Sequence, residues 1–135
     1  MASTASPRRE INAAAVAAPR GHFAHAVVAR PFVFVSGLLA VDTNGSVGAP
    51  GEITAQTTHI LDTLEAILAA AGSSPAQLIK LTVYVTGIED RAAVSALRRK
   101  RWPDTRPAST LVEVSALAAD GAVIEIDAVA RQENA

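Results

Sequence analysis

Three carboxylates stand inside apolar runs near the end of the chain: Glu113 in Ser109–Ser115 (STLVEVS), and Glu125 and Asp127 in Ile124–Ala130 (IEIDAVA). An acid in such a setting is either a chemical part or half of an ion pair. For Glu125 the competing partner would be Lys80 or an arginine. Ser109 can be a ligand donor or merely a small residue that opens a cleft. It is not a serine nucleophile, because no base pattern accompanies it. His22 and His25 have no acidic partner at a metal-binding spacing, so no metal site is expected; His25 fits a hydrogen-bonding residue at a cleft rim. Arg98, Arg99, Lys100 and Arg101 form the one basic run. A solvated helix end favoured by the helix dipole accounts for it. An RNA contact is the weaker reading, since Trp102 is the one neighbouring side chain able to stack on a base.

The elements that must position these groups can be read from periodicity. Ile53, Ile60, Leu61, Leu64, Ile67, Leu68 and Ala71 recur at helical spacing, with His59 on the solvated side and Gly72 at the C-cap position. Asp90 is placed to cap a second helix over Arg91–Arg101, stopped by Pro103. Ala26–Ala29 and Phe32–Ser36 flank Arg30-Pro31 as a hairpin, and Leu81–Thr86, Ser109–Ser115 and Val123–Ala130 read as strands. The order β-β-α-β-α-β-β predicts an α+β domain with both helices on one face of a sheet. Strand alternation puts Ser109, Leu111 and Glu113 on one side, and Glu125 and Asp127 on one side of the neighbouring strand. Val112, Val114, Ile124, Ile126 and Ala128 are then expected to face the helices. The other sheet face, with Leu111 and Val129 among polar groups, is left for subunit contacts with interfacial sites.

Composition limits the function classes. With no cysteine there is no disulfide, thiolate catalysis or thiolate metal site. Twelve basic and thirteen acidic residues give a net charge of -1, which argues against broad capture of nucleic acid or anionic membrane. No apolar run approaches the roughly 18 residues of a membrane span. Arg8 and Arg9 are not followed by an apolar region, because Glu10 and Asn12 interrupt it; a cytoplasmic protein without a signal peptide is expected. Residues 1–10 read as a flexible tail and 11–135 as one domain.

The order of short motifs resembles that of the RidA (YjgF) family. Gly21–Ala26 (GHFAHA) is similar to the family's G-P-Y-S-Q-A opening, and Phe32–Gly37 (FVFVSG) to its second strand with a Ser-Gly ending. Gln56, the helix end Ala69–Gly72, Ile79–Tyr84 (IKLTVY), Arg106–Glu113 (RPASTLVE) and the last strand follow in register. The resemblance covers about residues 19–131. It implies a chorismate-mutase-like fold, a homotrimer with a barrel-like sheet core and a small-molecule ligand in the inter-subunit cleft. It also implies cofactor-free chemistry, in which an enamine tautomerises to an imine and water hydrolyses it to a ketone and ammonia. Carried over, Glu125 is the catalytic carboxylate, Ser36 and Gly37 shape the cleft, and Phe23, Ser95, Ser109 and Leu111 contact the ligand. The chain departs from the family at the arginine that clamps the substrate carboxylate: Ser109 stands there, while Phe23 replaces a tyrosine and Ser95 an asparagine. A less polar or bulkier ligand is implied, and for an acidic ligand Arg20 is the expected partner. Pro19–His25 (PRGHFAH) is also similar to the opening of the 2-aminomuconate deaminase branch. Two alternatives to an enzyme are a non-catalytic ligand-binding or regulatory trimer and, more weakly, a translation-directed role.

Overall fold

In the computed structural model, which describes residues 7–133, apolar alternation along the strands and an apolar stripe on one long helix meet in a single buried layer. The elements are β1 (Arg9–Ile11), β2 (Ala26–Ala29), β3 (Phe32–Leu38), α1 (Ile53–Ala70), β4 (Leu78–Val85), α2 (Arg91–Arg101), β5 (Ala108–Glu113) and β6 (Ile124–Arg131). The sheet order is β1-β2-β3-β6-β4-β5; β4 and β5 run parallel and every other neighbouring pair is antiparallel. Among the described residues no helix is long and apolar enough to cross a membrane.

The helix α1 follows its sequence pattern closely. Ile60, Leu61, Leu64, Ile67 and Leu68 are all buried against the sheet, while His59 stays exposed. Gly72 follows the C-cap with φ 77°, a left-handed conformation in which a side chain would be strained. Burial of each such aliphatic side chain contributes on the order of 1.5–3 kcal/mol. Val33, Val35, Leu81, Val83, Val85, Ile124, Ile126, Ala128 and Ala130 supply the facing layer.

Two expectations change at the ends of elements. The stretch read as a tail contains a strand: Arg9, Glu10 and Ile11 pair with Val28, Val27 and Ala26. Residues 1–6 of that stretch lie outside the described residues. Asp90 makes no side-chain cap, because the short 3-10 turn Ile88–Asp90 runs directly into α2 and leaves it in helical conformation.

A larger correction concerns β5. Its register sets Leu81 beside Ser109, Val83 beside Leu111 and Val85 beside Glu113. Paired residues of parallel strands point to the same side, and Leu81, Val83 and Val85 are fully buried beneath the helices. Ser109, Leu111 and Glu113 therefore project toward the helix side at the sheet edge. Val112, expected in the core, lies on the uncovered face and is 40% exposed. For β6 the expectation holds: Ile124, Ile126 and Ala128 are buried, and Glu125, Asp127 and Val129 alternate to the open face.

Candidate functional site

The open face is where Glu125 stands. Tyr84 pairs with Glu125 across β4 and β6, and its hydroxyl donates to Asp127 Oδ2 at 2.9 Å. Loss of hydration raises the Glu125 carboxyl above the ordinary glutamate value, and the neighbouring Asp127 charge adds to it. The Asp127 hydrogen bond in turn raises the Tyr84 hydroxyl. Lys80, the pairing partner considered from sequence, instead donates to Thr110 Oγ1 at 2.6 Å. Among the described residues Glu125 is in no ion pair.

Gly37 explains how that carboxylate is seated. A Cβ at residue 37 would overlap Glu125 Oε2, so only glycine lets the acid lie against the strand. The register shift between Val35 and Leu38 falls at this point, a bulge that turns the β3 backbone beside the acid. Ser36 is used structurally: its hydroxyl donates to Ala24 O at 2.6 Å, and its N–H to His25 O at 3.0 Å, fixing β3 to the segment that carries Phe23. Phe23 is 52% exposed and lines, with Gly37 and Arg20, a cavity of about 380 Å³ that extends to His59 and Thr63 of α1.

His25 lines the same cavity from a buried position: Nδ1 accepts from Ala13 N–H at 2.9 Å, and Nε2 lies 2.8 Å from Ala17 O. Acceptance at Nδ1 assigns the proton to Nε2, which donates to that carbonyl. Both nitrogens thus hold the segment 13–17 in place. Arg20 lies across the Asp42–Gly45 turn, where a Cβ at Gly45 would overlap its guanidinium, and it helps to lower the Asp42 carboxyl, chiefly held down by Ser46 and Asn44 N–H groups.

The second group of expected residues lies elsewhere. Ser95, Ser109 and Leu111 line a groove of about 430 Å³ between α2 and β5, together with Arg91 and Arg98. One Arg98 N–H donates to Ser109 Oγ at 2.9 Å. Since Ser109 faces the helix side and Glu125 the open side, no single chain brings the two together.

The basic run divides into separate roles. Arg101 binds Asp62 and Glu65 on α1, and Trp102 Nε1–H donates to Glu65 Oε2 at 2.8 Å; the Arg101 bond holds the Glu65 carboxyl below its usual range. Arg98 turns into the groove, leaving Arg99 and Lys100 exposed. A run split this way is not a continuous RNA-facing stripe. Sequence reasoning missed the Arg98 contact, although the Arg91, Ser95, Arg98 spacing on one helix face carried the signal.

Gln56 is a further functional-looking residue with a structural use. Its Nε2 donates to Ala49 O and Gly121 O, both at 2.8 Å, and Oε1 accepts from Val123 N–H at 2.9 Å. This buried amide joins the segment before α1 to the loop that feeds β6, and so sets where Glu125 begins.

Comparison with known proteins identifies the family and the fold. A family profile described as Endoribonuclease L-PSP matches residues 13–132. A RutC family protein of Pyrococcus horikoshii is 36% identical over 115 residues, 85% of this chain and 90% of that protein. The 3-aminoacrylate deaminase RutC of Acinetobacter baylyi is 34% identical over 112 residues, 83% of this chain and 88% of that one. The crystal structure of TdcF from E. coli with bound serine has a TM-score of 0.83 at 26% identity, covering 93% of this chain and 99% of TdcF. With the profile spanning nearly all of the described residues and the α+β fold shared, the chain belongs to the endoribonuclease L-PSP family, the RidA (YjgF) proteins.

Proposed function

We propose that this protein is a cofactor-free hydrolase that deaminates a small imine or enamine, working in the cytoplasm in clefts between copies of a homotrimer. The carrying observation is Glu125: a part-buried carboxylate without a counter-ion, raised in basicity and seated on a strand that only Gly37 lets it approach. The deaminase activity named for the Acinetobacter relative supports the reaction class.

An enamine first tautomerises, a proton moving from nitrogen to carbon. Glu125 then takes a proton from water as the oxygen adds to the imine carbon. That proton passes to nitrogen, giving an amino alcohol; its hydroxyl proton then moves to nitrogen as the C–N bond breaks, so that ammonia leaves and the oxygen remains as the ketone. In the net change one imine and one water become one ketone and one ammonia, with no change of oxidation state. Phe23 closes one side of the cleft without donating a hydrogen bond.

A cleft with Glu125, Gly37 and Phe23 on one wall takes Ser95, Ser109 and Leu111 from the next copy as the other. The exposed Phe32, Phe34 and Val112 of the open face supply apolar contact between copies. Light scattering should give three times the 13.9 kDa chain mass. Ammonia release from a dehydratase-generated enamine, faster than in buffer and lost in Glu125→Gln, is the expected result. A monomer, or release unchanged by the substitution, would refute the reading.

A further inference from the structure

The position at which the family carries its carboxylate-binding arginine holds Ser109, and a different guanidinium has reached that place. Arg98 comes from α2, and its N–H donates to Ser109 Oγ at 2.9 Å. We infer that Arg98 is the anion-binding and specificity-determining residue of this chain, receiving the carboxylate of an acidic ligand in the groove between α2 and β5.

Four observations converge. First, a guanidinium has five N–H donors, and one of them meets Ser109 within the chain. Second, Arg98 is in no ion pair among the described residues, whereas Arg101, one turn on, has Asp62 and Glu65. Burial also pushes the Arg98 group down in pKa, the mark of a cation losing water without gaining an anion. Third, the groove lining contains a second guanidinium, Arg91, with the hydroxyls of Ser95 and Ser109, and no carboxylate. Residues 91, 95 and 98 are spaced four and three apart, so they follow one face of α2. Fourth, Arg20, the alternative cation, lies across the Asp42–Gly45 turn beside the Asp42 carboxylate.

An incoming carboxylate finds a planar fork with free donors, steadied by the Ser109 oxygen. The serine is then more than a missing arginine: a larger residue at 109 would occupy the space into which Arg98 turns. A second arginine at 109 would place two like charges together.

This inference rests on the proposed deaminase reading for the identity of the ligand as a small acid, but its test needs no turnover. Pyruvate and its neutral amide, pyruvamide, are titrated into the full-length protein by calorimetry. Wild type should bind pyruvate more tightly than pyruvamide. Arg98→Gln should weaken pyruvate by roughly tenfold or more, as expected for a lost charged hydrogen-bond partner, and leave pyruvamide within about twofold. Arg98→Lys should recover part of the loss, while Arg99→Gln, on the exposed side, should bind pyruvate as wild type does. Equal binding of the two probes by wild type, or full pyruvate affinity in Arg98→Gln, would overturn the assignment. So would a loss seen in Arg20→Gln alone. A protein that binds pyruvate through Arg98 yet releases ammonia from no enamine would refute the deaminase reading and leave this one standing.

Discussion

Gln56 and Glu125 are both polar groups set among apolar neighbours, and they are treated in opposite ways. Every polar atom of the Gln56 amide is matched by backbone from two segments, Ala49 before α1 and Gly121 and Val123 ahead of β6. Glu125 is pressed against Gly37 and beside the Asp127 charge, with no ion-pair partner among the described residues. Arg98 resembles Glu125 in this respect, and His25 resembles Gln56. A satisfied buried group holds the fold; a part-buried charge without its counter-ion is left for something that binds. The division also has a spatial side. The satisfied groups anchor loops, whereas the unsatisfied ones face outward on opposite sides of the sheet.

Substitutions should separate along the same line. The largest effect is expected from Glu125→Gln, which should lower ammonia release by about 10²–10⁴-fold, the range of a lost general base. Stability should move the other way. A carboxyl raised in the fold stabilises the protein fully below its unfolded pKa, and that contribution is lost as pH rises through the folded value. At neutral pH the glutamine variant should therefore melt no lower than wild type, with its advantage vanishing in acid. A lower melting temperature at neutral pH would place Glu125 among the structural groups.

Gln56→Ala should do the reverse, costing ~2–4 kcal/mol in urea unfolding because two carbonyls and one N–H lose their partner. Its turnover per folded molecule should remain near wild type; a protein of unchanged stability would undo the contrast. Gly37→Ala tests the seat of the acid. A Cβ there displaces the carboxylate, and a shift of about 1 Å is expected to cost on the order of 10²-fold in rate. An alanine variant with normal rate would show that the close approach has no chemical consequence. The smallest effect belongs to Asp127→Asn. Its charge contributes to raising Glu125, so neutralising it should move the acid limb of the rate profile to lower pH. The limb should not move upward.

Much of the frame was legible because its signals are local. Eighteen residues of α1 carry a stripe that admits one orientation, and the alternation in Ile124–Ala130 places Glu125 and Asp127 opposite the core. The strand β5 was misread because Leu111 and Val112 are adjacent apolar residues, and either alternation buries one of them. What decides is the parallel register of Leu81 with Ser109, a partner 28 positions away that local periodicity does not contain. The same limit applies to β1, three residues whose strand character comes from pairing with β2. It applies again to His25, a residue able to sit at a rim, whose burial follows from bonds to Ala13 and Ala17. Sequence named Glu125, Gly37 and Ser109 as one site; the chain places them on two faces, so a single site holding all three would need two copies of the chain.

That requirement is open to a direct measurement. Glu125→Gln removes the acid from one wall, and Ser109→Trp fills the groove that forms the other; each variant alone should be nearly inactive. Co-expressed with separate tags and purified as mixed assemblies, they should form some clefts with both walls intact. If the walls come from different copies, random mixing returns roughly a quarter of wild-type ammonia release, one half for each wall. Mixed assemblies as inactive as their parents would contradict the two-copy site.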